Sequence, residues 1–239
     1  MPVRQHPNPH PPTTLVAMPG TGSDADYVRR AFGPAALDCG LDLVALQPSG
    51  DLVAGYLRRL DEIADAADRP VLVGGVSIGA AIALDWAARH PCAGVWAALP
   101  AWTGEPAAAP AAWSAAVVAQ RLHDEGLEQT IATMSASSPL WLAAELGRSW
   151  RALYPGLVDH LTQAADYRSP DLDDLASLDV PVAITAAVDD PVHPLEVARQ
   201  WAAAAPRSAL HETTLDAWGH DPAELGFGCA RGWLALTSH

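Results

Sequence analysis

Short apolar runs that never alternate with polar residues, each set off by turns, constrain this chain more tightly than any other feature. Residues 13–18 read TTLVAM, 41–46 LDLVAL, 70–76 PVLVGGV and 92–99 CAGVWAAL. Between them lie helical patterns. Tyr27, Val28, Ala31 and Phe32 recur at helical spacing behind Ser23 or Asp24 as N-cap. Leu52, Tyr56, Leu60 and Ile63 do the same after the second run, and 78–90 reads IGAAIALDWAARH after the third. Strands apolar on every residue are buried on both faces, as parallel sheets require. Strand and helix in alternation then give an α/β fold with right-handed crossovers.

The rhythm stops after Leu99. Residues 101–165 hold no strand pattern but carry Trp102, Trp113, Trp141 and Trp150, four of the nine tryptophans. Within them Ser138 and Pro139 read as the N-cap and first position of a helix that runs through Tyr154 and stops at Pro155. Ser169 and Pro170 are expected to open a further short helix. The strand rhythm then resumes with VPVAITAAV (180–188), a helix over 193–205, a last strand SALHETTL (208–215) and a closing helix over 221–236. The expected architecture is a mostly parallel sheet of about six strands flanked by helices, an ordinary size for a sheet. It makes a single domain over 13–239, with a helical cap at about 101–165. Residues 1–12, rich in Pro and His, read as a disordered tail, where His6 and His10 would make a poor metal site.

Charge removes several function classes. The chain has 28 acidic against 14 basic residues, a net charge of −14, and every basic residue is Arg. Without Lys, neither a phosphate-binding loop of the G-x-x-x-x-G-K-[ST] type nor Schiff-base chemistry is available. The acidic balance argues against nucleic acid and anionic membrane surfaces as partners, since both need a basic face. No apolar run approaches the roughly 18 residues of a spanning helix, and MPVRQHPNPHPP lacks the hydrophobic segment of a secretory signal. A cytoplasmic location is expected. Cys39, Cys92 and Cys229 are few and far apart, and fit free thiols in a reducing compartment.

The strongest local motif is Gly75-Val76-Ser77-Ile78-Gly79, between a buried strand and a helix. A Ser on such a sharp turn sits in strained backbone, and its neighbours two residues away must be small to clear the strand and helix they approach. The helix that follows points its N-terminus at the Ser, so the Ile78 amide is placed to donate to a developing oxyanion. The alternative is that Ser77 merely caps that helix. Met18-Pro19-Gly20-Thr21-Gly22 follows the first strand, and a glycine-rich turn there can aim the Thr21 amide at the same oxyanion, unless it is a plain turn.

These motifs, in this order, resemble the serine hydrolases of the α/β-hydrolase fold, and the likeness covers nearly the whole chain after residue 12. Members usually carry His-Gly at the oxyanion turn, where this chain has Pro19-Gly20. Their cores commonly begin with two further strands, for which the dozen residues before Thr13 leave no room, so a trimmed version of the fold is expected. The resemblance implies a Ser, Asp or Glu, His triad in that chain order, with the acid just after the strand following the cap. Here that loop reads Asp189-Asp190-Pro191-Val192-His193-Pro194. Asp190, directly before Pro191, fits the position best, with Asp189 as competitor. The base is expected at His220, in Trp218-Gly219-His220-Asp221 between the last strand and the closing helix, where the family's His sits. His193 is the alternative, but it lies on the acid's own loop and reads as a cap of the next helix.

The implied chemistry is cleavage of a carboxylic ester or related acyl bond through an acyl-enzyme, on a small molecule with an apolar part, without cofactor or metal. Trp102, near the end of the fourth strand, is the tryptophan best placed to face the nucleophile. Arg148 and Arg151, three apart on the Ser138 helix, could meet an anionic substrate, although a solvated helix face is the plainer expectation. The sequence admits two rival functions. Gly20-Thr21-Gly22-Ser23-Asp24-Ala25 matches the G-x-G-x-x-A of dinucleotide-binding folds, but the second strand ends in Gln47-Pro48 instead of an acidic residue for the ribose. The other rival is a non-catalytic binding module, which a complete Ser, Asp, His set argues against. Carbon-carbon bond hydrolases and lyases using the same triad also stay open, as does the oligomeric state.

Overall fold

The computed structural model describes residues 11–238. His6, His10 and all but the last two residues of the expected tail lie outside the described residues. Six strands, β1 (Thr14–Met18), β2 (Asp42–Ala45), β3 (Leu72–Val76), β4 (Gly94–Ala98), β5 (Val182–Ala187) and β6 (Ser208–Thr213), pair in parallel in the order β2-β1-β3-β4-β5-β6. Helices α1 (Ala25–Asp38), α2 (Leu52–Ala66) and α3 (Ile78–Ala87) follow the first three strands. After β4 come the four long helices of the insertion, α4 (Pro110–Glu125), α5 (Leu127–Ser137), α6 (Leu140–Leu153) and α7 (Leu157–Asp166), then the short α8 (Leu172–Ala176). Helix α9 (Leu195–Ala204) joins β5 to β6, and α10 (Leu215–His220) and α11 (Ala223–Thr237) follow β6.

Both faces of the sheet are buried at β1, β3, β4 and β5, which is why those strands read as continuous apolar runs, while the edge strands β2 and β6 are only partly covered. Val16, Met18 and Val73 point into one core with Trp86 of α3 and Trp201 of α9. Their neighbours Leu15, Ala17 and Leu72 point into the other, with Trp96 and residues of α1 and α11. Each large aliphatic chain so buried contributes about 1.5–3 kcal/mol. The insertion has a small core of its own, including Leu122, Ile131, Trp150 and Leu161.

Two helix starts differ from expectation. Ser138 does not cap α6; it is extended (φ −114°, ψ 153°) and ends α5, so α6 starts at Leu140 behind Pro139 without a side-chain cap. Proline disfavours helical backbone in the residue before it, which forces that break. Helix α8 begins two residues later than Ser169 and Pro170 suggest, because Asp171 accepts from the amides of Asp173 and Asp174 while the Asp174 carboxylate takes the Asp171 amide. Helix α10 is an element that the sequence pattern does not predict. Among the described residues no helix is long and apolar enough to cross a membrane.

Candidate active site

The chain leaves β1 toward β2 on one side and returns to β3 on the other, so the turns after β1 and β3 splay apart at the carboxyl end of the sheet. Such switch points are where open parallel sheets bind ligands. Ser77 occupies the turn after β3, at φ 56° and ψ −117°, a left-handed conformation that costs a non-glycine residue of order 1–3 kcal/mol. Close packing enforces it. A Cβ on Gly75 would stand 2.6 Å from the Gly79 carbonyl carbon and 2.7 Å from the Met18 oxygen, and one on Gly79 would stand 2.6 Å from that same Met18 oxygen. The Ser77 side chain makes no capping bond to α3, which removes the reading of Ser77 as a mere helix cap. Instead its Oγ lies 3.1 Å from Nε2 of His193.

His193 and Asp190 come from the loop after β5. Nδ1 of His193 is 2.7 Å from Oδ2 of Asp190, whose Oδ1 accepts from the amides of Val192 (2.8 Å) and His193 (3.2 Å). The carboxylate folds the Asp-Pro-Val-His segment back on itself and thereby seats the ring. Burial by itself would raise the Asp190 carboxyl, but the hydrogen bond and charge of His193 and the two amides outweigh it and hold the group below its ordinary 3.8. An ionised Asp190 can only accept, so Nδ1 carries the ring proton and Nε2 presents a lone pair to the Ser77 hydroxyl.

One alternative is set aside here and one expectation is corrected. Asp189, the competing acid, is exposed and accepts from the Leu215 amide at 2.6 Å, which ties the acid loop to α10. His220, expected as base, is exposed at the last position of α10 and does not line the cavity above Ser77. The cause is local. Thr214 caps α10 by accepting from the Ala217 amide, and the helix it starts turns Trp218 inward, where the indole donates to the Tyr27 hydroxyl, and leaves His220 outward. The ring beside Ser77 is therefore that of His193. The signal for it was in the sequence: Asp-Pro at the start of a turn favours the side-chain-to-amide bonds that bring the third residue after Asp190 over its carboxylate.

The turn after β1 faces the same space. Gly20 and Thr21 line the cavity with Ser77, and among the described residues neither the Thr21 nor the Ile78 amide is used by another backbone group of the turns. Helix α6 of the insertion grips this turn. Ser149 Oγ donates to the Gly22 carbonyl at 2.6 Å, Arg148 clasps Asp24 through both carboxylate oxygens (2.7 and 2.9 Å), and the Trp150 ring lies over Gly22. Gly22 has φ 78°, and a Cβ there would stand 2.7 Å from Trp150 Nε1. The opening of α1, where a dinucleotide's pyrophosphate would rest, is filled from within: Gln47 Oε1 takes the Ala25 amide and Asp24 takes that of Tyr27.

Above Ser77 is a cavity of about 510 Å3 between the sheet and the insertion. Trp102, Trp141, Trp150 and Trp218 line it, together with Leu99, itself at φ 50°. Trp102 is oriented by its indole, which donates to the Tyr167 carbonyl at 3.1 Å. Trp113, by contrast, is 71% exposed and takes no part. Arg151 pairs with Glu128, and Arg148 with Asp24 and Glu145, so both are engaged within the protein.

No protein-family model matches this chain, and no curated protein sequence matches it. Its likeness to solved structures is extensive. MenH from S. aureus is 17% identical, with 96% of each chain covered and a TM-score of 0.71. An enol-lactonase from Burkholderia xenovorans is 14% identical over 90% of this chain and 92% of its own, at 0.67. An alpha/beta hydrolase from Sphaerobacter thermophilus is 18% identical over 91% and 93%, at 0.61. The chain has the α/β-hydrolase fold.

Proposed function

We propose that this protein is a serine hydrolase that cleaves a carboxylic ester or a related acyl bond, such as a lactone or thioester, through an acyl-enzyme. The observation that carries the reading is the continuous run of hydrogen bonds from Ser77 Oγ to His193 to Asp190. In it His193, not His220, takes the Ser77 proton as Oγ attacks the carbonyl carbon, and returns it to the leaving group. Asp190 fixes the ring's tautomer and stabilises the imidazolium. The amides of Thr21 and Ile78 take the oxyanion, each worth about 3 kcal/mol at such sites. Water activated by the same ring then hydrolyses the ester on Ser77. The apolar walls suit an acyl group with a hydrophobic part. That similar folds include an enol-lactonase and hydrolases supports acyl-bond cleavage.

A fluorophosphonate probe is expected to label wild-type protein at Ser77 and to fail on Ser77→Ala, with short p-nitrophenyl esters turned over only by the former. Absence of labelling and turnover in folded wild type would overturn the proposal.

A further inference from the structure

The cavity above Ser77 holds two carboxylates and one guanidinium, and the charges do not balance. Asp190 is satisfied by hydrogen bonds from His193 and two backbone amides, and Glu145 pairs with Arg30 and Arg148. Arg121 of α4 also lines the cavity, is half-buried, and has no carboxylate of the described residues within ion-pair reach. A guanidinium that lines a cavity without a carboxylate partner is free to receive an anion, and its planar fork of N–H donors matches a carboxylate.

Its position along α4 says where that anion sits. Ala111, Ser114, Ala115, Val118 and Arg121 form the stripe of α4 that faces the cavity. Ala111 packs with Trp102, three residues beyond Leu99, at the end of the stripe nearest β4. Arg121 is ten residues further, about 15 Å along the helix axis. Trp102, four residues beyond Ala98, whose carbonyl takes the Ser77 amide, thus marks the Ser77 end of the stripe, and the guanidinium stands at the other end.

We infer that the acyl group accepted here carries a carboxylate at the end remote from the scissile bond, and that Arg121 binds it. The substrate class is then the ester, thioester or lactone of a dicarboxylic acid, with an apolar chain between its two carbonyl carbons. This rests on Ser77 being the nucleophile of the proposed reaction. Arg121 is a specificity-determining residue and takes no part in bond making. The chain's net charge does not oppose it, because at physiological salt charges beyond about 8 Å are screened.

The test compares mono-p-nitrophenyl esters of adipic, suberic and sebacic acids with the neutral p-nitrophenyl esters of hexanoic, octanoic and decanoic acids. Wild type is expected to prefer at least one diacid half-ester. Arg121→Gln should lose about tenfold in kcat/KM on it, through KM, and keep its rate on the neutral esters, while Arg121→Lys recovers part of the loss. Binding of free sebacate to Ser77→Ala, followed by calorimetry, needs no turnover and should vanish in Ser77→Ala/Arg121→Gln. Turnover of all esters with neither carboxylate preference nor sebacate binding would overturn the inference and leave the hydrolase proposal standing. Sebacate binding that depends on Arg121 without turnover of any ester would overturn the hydrolase proposal, and with it the acyl substrate class, and leave only a carboxylate site at Arg121.

Discussion

Around Ser77 the backbone is fixed by crowding, since Gly75 and Gly79 approach Met18 and each other so closely that no side chain fits, whereas the loop carrying Asp190 and His193 is fixed by three hydrogen bonds to one carboxylate. The first arrangement depends on volume alone and is indifferent to pH. The second is strongest while Asp190 is ionised and weakens when the carboxyl is protonated, because a neutral carboxyl is a poorer acceptor. One half of the site therefore fails when atoms are added and the other when a proton is.

The largest effect is expected on the hydrogen-bonded side. His193→Gln should lower kcat on p-nitrophenyl esters by about three to four orders of magnitude, while His220→Gln stays within about twofold of wild type. Steady-state kinetics of the two variants decides the base, and the opposite ranking would return the role to His220. On the crowded side, Gly79→Ala drives a Cβ into the Met18 carbonyl and should cost about 1–3 kcal/mol, a fall of several degrees in Tm. Gly20→Ala, whose Cβ would first meet atoms at 3.4 Å, is the matched control and should change Tm little. The smallest effect is in the pH dependence of stability. Asp190 is held below its ordinary 3.8, so its contribution is fully present above 3.8 and is lost as pH falls through the lower folded value. Urea titrations should find Asp190→Asn less stable than wild type at neutral pH, with the gap closing below 3.8. A gap independent of pH would mean that the carboxylate contributes by packing alone.

The same contrast governs how much could be read in advance. Crowding leaves a mark on composition: Gly75, Ser77 and Gly79 declare the turn, and Leu15 to Met18 or Leu72 to Val73 declare strands buried on both faces. Hydrogen bonding between loops leaves almost none. His193 and His220 both stand in plausible contexts, one near Asp-Pro and one after Gly219, and the choice between them is made by Thr214 capping a six-residue helix that turns Trp218 in and His220 out. Arg121 was invisible for a related reason, because a lone arginine on a helix looks solvated until the pairing of its neighbours is known. Arg148, for which the sequence suggests a solvated face before a substrate contact, is instead paired with Asp24.

Helix α6 holds the turn after β1 through Ser149, Arg148 and Trp150, so the insertion is no detachable module. Replacing it wholesale with a helical insertion of another shape would unfasten the Gly22 carbonyl, strand Asp24 without its counter-ion and release the segment that presents the Thr21 amide. Chimeras that vary the cavity must therefore exchange α4 and α5 and leave α6 in place, or carry residues 19–24 along with it. On the proposed reaction, substrate range and carbonyl activation are written partly on the same helix.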